Sequence, residues 1–280
     1  FHPLAIGDSL LVCNLRGLPT PQDLILKDRY RNLWAYTSAL EPLWHRHLNT
    51  GHYPRARDLN GDGRDEVMAG YSLLDAEGET LWTVPGGDPA RNRYPGPEHA
   101  DSVLLERFGP DENAPLQIAI GASDLGFLLL DPDGTLRARQ PVGHAQFVGC
   151  ARFRPELPGR QFVVCCLWGN MGILTLLDGR GQILLAREMA SAMQPVPVNW
   201  TGDGRALFRL RDGLADGDLD PVVDLPPGCA LAASDLNGDG VDELCVREGD
   251  TLHILGPAEI PAHPAPASRR SFANFSAYGG

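Results

Sequence analysis

One ten-residue segment occurs twice in this 280-residue chain, and it constrains the fold more than any other feature. It reads DLNGDGRDEV at 58–67 and DLNGDGVDEL at 235–244, between apolar runs typical of short strands. With shortened and looser copies there are six, which begin at positions 14, 58, 107, 152, 199 and 235. The steps between them are 44, 49, 45, 47 and 36 residues. We therefore interpret the chain as six structural repeats.

A second pattern follows several copies of the repeated segment. It consists of a strand, a tight turn and another strand. It reads LLDAEGETLW from Leu73, LLDPDGTL from Leu129 and LLDGRGQI from Leu176. Asp and Gly suit these turns, because glycine tolerates the positive φ of tight hairpins. A four-stranded unit recurring every ~40–50 residues is typical of a β-propeller. We predict an all-β fold, a β-propeller of six to seven four-stranded blades over residues 1–256, with an extended Pro/Ala-rich strap over 257–280.

Composition excludes some classes of function. The net charge of −12 argues against binding to nucleic acid, because nucleic-acid sites need a basic face. No apolar stretch approaches the ~20 residues of a membrane-spanning helix. The six cysteines form no Cys-x-x-Cys pair and lie mostly in apolar runs, so we interpret them as small buried hydrophobic residues. We expect a monomer that is secreted or periplasmic, with a cytoplasmic location as the alternative.

Each full copy of the repeated segment places oxygen ligands at alternating positions around a glycine turn, which suits Ca²⁺. The flanks read as strands rather than the helices of an EF-hand, so we predict that the calcium is structural. The alternative is a plain Asn-Gly/Asp-Gly turn without metal. The predicted ligands are Asp58, Asn60, Asp62, Arg64 and Glu66 in the first loop and Asp235, Asn237, Asp239, Val241 and Glu243 in the second, with Arg64 and Val241 acting through their carbonyls. Asp65 and Asp242 compete with the two glutamates, and the shortened copy at 199–205 is predicted to hold no metal.

Three histidines share one position in the repeat. His99 lies nine residues before Phe108, and His144 lies nine before Phe153. His52 precedes the equivalent strand of the preceding repeat. Because the first strand of each propeller blade lines the central channel, we expect the three imidazoles at one mouth, where they suit acid–base chemistry. The alternative is that each histidine only caps its strand.

Other side chains can reach the same face. The Gly/Pro/Arg-rich loop after residue 85 and the turn at 168–170 carry several of them. The candidate binding residues are His52, Tyr53, Arg91, Arg93, Tyr94, Trp168 and Asn170. For each arginine or aromatic residue taken singly, an ordinary surface or core role is the alternative.

The acidic loops resemble the FG-GAP type of repeat. Four further segments are similar to β-propeller polysaccharide lyases of the rhamnogalacturonan-lyase and ulvan-lyase type: DRYRNLWAY from Asp28, GHYP from Gly51, HADS from His99 and GHAQ from Gly143. The resemblance implies β-elimination at a uronic acid. A base takes the C5 proton, an acid protonates the departing O4, and a cation neutralises the carboxylate.

The resemblance also implies roles for individual residues. His144 would be the leading base or acid, His99 its partner and Arg160 the neutralising cation. His52 and Tyr53 would bind substrate at the rim. Two features depart from the family: the chain shows six repeats where relatives carry seven or more, and no tyrosine near His144 matches the family's.

Two functions therefore remain open. The first is a polysaccharide lyase that cleaves a rhamnose–uronic acid polymer, with the acidic polysaccharide as its partner. The second is a non-catalytic, calcium-stabilised propeller that binds a glycan or a protein. A lyase requires His99, His144 and an arginine within one sugar ring of each other, whereas a binding module requires no such convergence. Hydrolysis ranks lower, because it needs two carboxylates across a cleft and most acidic residues that can be placed lie in the metal turns.

Overall fold

The computed structural model describes residues 9–85, 87, 99–111, 113–167, 172–189, 194–211, 213–225, 229–257 and 275–276. Within them the protein is all-β, with six antiparallel sheets and no helix. It follows that these residues include no helix of the length and hydropathy needed to cross a membrane. The all-β prediction is confirmed.

The strands are numbered along the chain. They are β1 (Ser9–Cys13), β2 (Asp23–Lys27), β3 (Asn32–Tyr36), β4 (Pro42–His47), β5 (Arg55–Arg57), β6 (Glu66–Ala69), β7 (Ser72–Leu74), β8 (Thr80–Thr83), β9 (Ser102–Arg107), β10 (Leu116–Gly121), β11 (Phe127–Leu130), β12 (Leu136–Gln140), β13 (Ala145–Ala151), β14 (Gln161–Cys166), β15 (Ile173–Leu177), β16 (Ile183–Glu188), β17 (Pro197–Val198), β18 (Leu207–Arg209), β19 (Gly213–Ala215), β20 (Pro221–Asp224), β21 (Cys229–Ser234), β22 (Glu243–Glu248), β23 (Thr251–Leu255) and β24 (Phe275–Ser276).

The chain divides into two compact units, each with three sheets. Unit 1 takes residues 1–106, 116–141 and 271–280, and unit 2 takes the remainder. The sheets of unit 1 have the strand orders β24-β1-β2-β3-β4, β5-β6-β7-β8 and β12-β11-β10-β9. Those of unit 2 have the orders β13-β14-β15-β16, β17-β18-β19-β20 and β21-β22-β23. The predicted strap over 257–280 lies outside the described residues, apart from 257 and the two residues of β24, so it stays a prediction.

The repeats seen in the sequence correspond to the sheets one by one. Each repeat start lies at the end of the first strand of a sheet or directly after it. The predicted turns join β7 to β8, β11 to β12 and β15 to β16 as antiparallel hairpins. The prediction of six repeats with internal hairpins is confirmed, whereas the number of propeller blades stays a prediction.

Burial changes regularly across each sheet. The second and third strands are apolar and almost wholly buried, as in β14 and β11, whereas the fourth strand is largely exposed, as in β16. A strand with both faces covered needs a continuous apolar run, while a strand at a sheet edge does not. Each unit accordingly has its own cores, one around Met68 and Ile118 in unit 1 and one around Val163 and Phe208 in unit 2.

Tryptophans of outer strands fasten the sheets of unit 1 to each other. The indole N–H of Trp44 in β4 donates to the carbonyl of Ala76, and that of Trp82 in β8 donates to the carbonyl of Pro132. Both acceptors lie in the tight hairpin of the following sheet. Gly78 and Gly134 complete these hairpins at positive φ, and a Cβ at either would lie under 3.0 Å from the tryptophan ring. The glycines therefore permit both the turn and the aromatic contact.

Three of the six cysteines, Cys13, Cys165 and Cys166, are buried. They are free thiols, as are Cys150 and Cys245. Burial raises the pKa of Cys165 to about 12 and that of Cys166 to about 11. Since the thiolate is the reactive form, these groups are inert in the folded protein, as the sequence predicted.

Candidate functional site

Four polar side chains of unit 1 converge at one point. His52 Nε2 lies 3.1 Å from His99 Nε2 and 3.3 Å from Asp101 Oδ1. His99 Nε2 lies 3.6 Å from the same Asp101 oxygen, and the Tyr30 hydroxyl lies 3.3 Å from His52 Nε2. We call these four residues the imidazole cluster. It joins two of the three histidines that the repeat phase singled out.

Backbone contacts hold the two histidine segments together. His52 lies just before β5 and His99 just before β9, and the His52 N–H donates to the Ala100 carbonyl at 2.9 Å. The Asp101 N–H donates to the carbonyl of Gly121 at the end of β10. Entry residues of adjacent first strands therefore meet at His52 and His99, two of the three histidines that were predicted to share one mouth.

Asp101 is buried against the imidazoles, with one carboxylate oxygen directed at them. Its side chain is 1% exposed, and the Ser123 hydroxyl lies 2.6 Å from Oδ2. That contact leaves Oδ1 facing both histidine rings. A buried carboxylate needs such partners, because an uncompensated charge away from water is costly. Ser123 itself has a positive φ of 48°, a conformation rare outside glycine.

Tyr30 occupies the tip of the β2–β3 hairpin in a costly conformation. Its φ is +77°, a left-handed value that costs a residue with a Cβ about 1–2 kcal/mol. The phenol ring stacks on the His99 ring at 4.0 Å between centroids and meets the His52 ring edge-on at 5.2 Å. Glycine or asparagine would form this turn at lower cost, so the ring contacts account for a tyrosine here.

Two cations border the Tyr30 ring. The Lys27 ammonium and the Arg29 guanidinium each lie 5.7 Å from its centroid. The Lys27 side chain is fully buried, whereas Arg29 is exposed. The cluster thus has positive charge beside it within a chain whose net charge is −12.

The geometry of the cluster supports two kinds of chemistry. When both imidazoles are neutral, one Nε2 can donate its proton to the other, and Asp101 stabilises the imidazolium that forms when either ring takes up a proton. The donor atoms of His52, His99 and Asp101 also lie within 4.8 Å of one another, a spacing that one divalent cation fits. Imidazole and carboxylate together suit zinc and related metals.

The remaining predicted residues do not all join the cluster. The Tyr53 ring lies 5.8 Å from the His52 ring, so it borders the site. His144 lies in unit 2, just before β13, in the same position of its sheet as His99. The five positions Arg91, Arg93, Tyr94, Trp168 and Asn170 lie outside the described residues.

His144 and Arg160, which the resemblance paired, lie at opposite ends of one strand pair. In the antiparallel register Ala145 opposes Cys166, while Ala151 opposes Gln161. At ~3.3 Å per residue, about 20 Å of strand separates the two ends. The two side chains therefore do not reach one sugar ring together, and the expected neutralising role of Arg160 beside His144 is corrected.

Sequence reasoning missed Tyr30 and Asp101. The signal for Asp101 was its spacing from His99, because residues two apart in an extended segment point to the same side. Tyr30 had a weaker signal, its place in a short polar link between two apolar runs. No sequence rule predicts a tyrosine at positive φ.

The two acidic loops share one hydrogen-bonding pattern. In the first, the Asp58 carboxylate accepts the N–H groups of Gly61 and Gly63, and Glu66 accepts the Leu59 N–H and an Asn60 amide hydrogen. Asp235 and Glu243 make the equivalent contacts in the second loop. Burial raises the pKa of the Glu66 carboxyl, which is the effect expected of an acid turned into a loop.

The neighbouring aspartates, Asp65 and Asp242, bond to residues outside their loops. Asp65 accepts the N–H of Asn14 at 2.7 Å and donates its own N–H to the Asn14 carbonyl. Asp242 exchanges the same pair of bonds with Asn199. Glu66 and Glu243 therefore face their loops, while the aspartates tie each loop to the preceding repeat.

Searches with protein-family models and among curated proteins found no match. Solved structures do match. The rhamnogalacturonan lyase PL11 of Bacillus licheniformis has a TM-score of 0.71 at 17% identity, over 92% of this chain and 46% of that one. BBS1N, solved in complex with ARL6DN, has a TM-score of 0.59 at 14% identity, over 88% and 78%. The Dos1 propeller has a TM-score of 0.56 at 14% identity, over 92% and 71%.

Identities this low show a common fold and nothing finer. The chain spans about half the length of the lyase it matches. It shares its fold with rhamnogalacturonan lyases and with a propeller that is not described as an enzyme.

Proposed function

We propose that the protein is a polysaccharide lyase that cleaves a rhamnose–uronic acid polymer by β-elimination, with the imidazole cluster as its reaction centre. The observation that carries the proposal is the convergence of His52, His99, Asp101 and Tyr30 within hydrogen-bonding reach of one point. The fold shared with rhamnogalacturonan lyases supports it. A polymer substrate also fits the proposed secreted or periplasmic location.

In the proposed reaction one imidazole of the pair removes the proton at C5 of the uronate. The C4–O4 bond then breaks, a C4–C5 double bond forms, and the departing O4 takes a proton from the other imidazole of the pair, which starts as the imidazolium. Asp101 stabilises the histidinium, and the cation beside the carboxylate stabilises the developing enolate. A divalent cation held by His52, His99 and Asp101 would supply that charge stabilisation instead. Both imidazoles would then be ligands, and the Tyr30 hydroxyl would be the group of the cluster left to take the C5 proton.

The test is the ultraviolet absorbance of the unsaturated uronide formed from rhamnogalacturonan, ulvan and related glycans. The protein is assayed as purified, after chelation, and after chelation followed by added Zn²⁺ or Ca²⁺. We expect absorbance to rise with at least one polymer. An activity lost on chelation and restored by one metal indicates the cation form of the site, whereas an activity that survives indicates the imidazole base. A folded protein that gives no product with any polymer contradicts the proposal.

A non-catalytic binding module is the second candidate. The share of each neighbour's length that this chain covers favours this candidate. The chain covers 78% of BBS1N, which was solved with a protein partner, but only 46% of the lyase. Under this function the protein retains a glycan on an affinity gel without releasing unsaturated product. Retention without product would therefore select the binding module.

We further propose that both acidic loops bind structural Ca²⁺, as the sequence predicted. The support is their common geometry, with the carboxylates of Asp58 and Glu66, or of Asp235 and Glu243, turned into the loop. A ligand that binds only the folded state stabilises it by about 2.7 kcal/mol at a hundredfold excess over its Kd. We therefore expect the Tm to rise by several degrees when Ca²⁺ replaces EGTA.

Variants separate this effect from general screening by salt. Asp58→Ala and Asp235→Ala should each remove part of the Ca²⁺ response. Asp203→Ala is the control, because this exposed residue lies in the shortened copy that is predicted to hold no metal. Equal Tm values in EGTA and Ca²⁺, or an equal response to Mg²⁺, would contradict calcium binding.

A further inference from the structure

The tip of the β2–β3 hairpin is fixed at the edge of the imidazole cluster. The Asp28 carboxylate accepts the backbone N–H groups of Arg31 and Asn32, at 3.0 and 2.7 Å. From the other side, the Thr50 N–H donates to the Tyr30 carbonyl. Segments before and after the tip therefore hold it in place, and the residues on it have a defined position.

The tip presents Arg29 beside the cluster. The guanidinium lies 5.7 Å from the centroid of Tyr30, whose ring stacks on His99. Lys27 is equally close to the ring but fully buried. Of these two cations, Arg29 is therefore the one that a bound molecule can reach.

The chemistry of Arg29 fits the carboxylate of a sugar acid. Guanidinium is planar and always charged, and its parallel N–H groups match the two oxygens of a carboxylate. An anion bound at the imidazole pair would have this charge nearby, over the Tyr30 ring. The site needs such a charge nearby, because the chain as a whole repels anions with its net charge of −12.

We propose that Arg29 is the residue that binds the uronate carboxylate and makes the site selective for the free acid. This inference rests on the proposed function, and it replaces the role that the family resemblance implied for Arg160. Tyr30 positions Arg29 because its ring contacts both the guanidinium and the stacked His99 ring. The left-handed turn at Tyr30 is what brings both contacts to one residue.

The test compares a galacturonate-containing oligosaccharide with its methyl ester, which has the same shape and no charge. Binding is measured by calorimetry and turnover by product absorbance. Arg29→Ala should lower affinity and kcat/KM for the free acid by about 10- to 100-fold, the loss expected of a charge-assisted hydrogen-bonded pair. The values for the methyl ester should change by less than about threefold. Arg29→Lys should recover part of the loss, since it keeps the charge without the fork.

Arg31→Ala is the matched control, because Arg31 is exposed on the same tip and its backbone contact survives the substitution. Equal losses for acid and ester, or equal effects of Arg29→Ala and Arg31→Ala, would overturn the assignment. A protein that binds the acid through Arg29 without turnover would disprove the lyase and leave this inference standing. A folded protein that neither binds nor cleaves the free acid would disprove both.

Discussion

Replacing His99 by glutamine should lower the lyase rate by about 10²- to 10⁴-fold, the range that a positioned acid–base group contributes. Glutamine keeps polar atoms near Asp101 but has no nitrogen that titrates near neutrality. His52→Gln should show a loss of similar size, since the two Nε2 atoms lie 3.1 Å apart and act on one point. Initial rates of product absorbance at saturating polymer measure the effect.

His45→Gln is the control for this pair. His45 is an exposed histidine of β4 in the same unit, and it is hydrogen-bonded to Asn32 while its ring stacks on Trp34. His144→Gln tests the histidine that the family resemblance placed first. If His144→Gln abolishes activity while His99→Gln leaves it intact, the reaction centre is not the imidazole cluster. Thermal unfolding of each variant distinguishes lost chemistry from lost structure.

Gly70→Ala should be among the most destabilising single substitutions in unit 1. Gly70 has a φ of +59°, and a Cβ there would lie 2.1 Å from the carbonyl oxygen of Asn49. Left-handed strain and forced displacement of the backbone together cost about 2–5 kcal/mol. Asn49 lies three residues before His52, so the same displacement should also lower activity. Chemical denaturation gives the loss of stability, and the lyase assay gives the second effect.

Gly61→Ala separates strain from crowding. Gly61 has a φ of +83° with no atom within 4 Å of an added Cβ, so only the conformational cost of about 1–2 kcal/mol should appear. Both variants are measured in EGTA, because Gly61 lies in an acidic loop. If the two substitutions cost the same, close approach of the Asn49 backbone is not what requires glycine at position 70.

The architecture was predictable because the same residues recur at the same place in each repeat. Each full, shortened or looser copy of the repeated segment follows the first strand of a sheet, and each Asp/Gly turn joins a third strand to a fourth. The spacing in the sequence therefore predicts the order of the strands. His52 and His99 occupy equivalent positions in adjacent repeats, and for this reason they were expected to lie close together. Repeats predict what every copy shares, since one supersecondary unit must fit against the next.

The rest of the site could not be predicted in this way, because it depends on what the copies do not share. Tyr30 acts through a tyrosine ring held on a left-handed turn, and Asp101 acts with a serine hydroxyl that lies 2.6 Å from its carboxylate. The pairing of His144 with Arg160 failed for a simpler reason. The family resemblance gave both residues a role at one sugar, but the antiparallel β13–β14 pair places them at opposite ends.

The ties between adjacent sheets also determine how the chain can assemble during synthesis. These ties are hydrogen bonds between residues far apart in sequence. The separations are 51 residues for Asn14 and Asp65, 43 for Asn199 and Asp242, and 32 for Trp44 and Ala76. At ribosomal speeds of ~5–20 residues per second, about 3–10 s separate the two halves of the longest of these ties. Each of these ties can therefore form soon after its second residue has been made, whereas β1 cannot pair with β24 until residues 275–276 have been synthesised. Folding can accordingly begin in the order of translation, with the β1–β24 pairing as a late and non-local step.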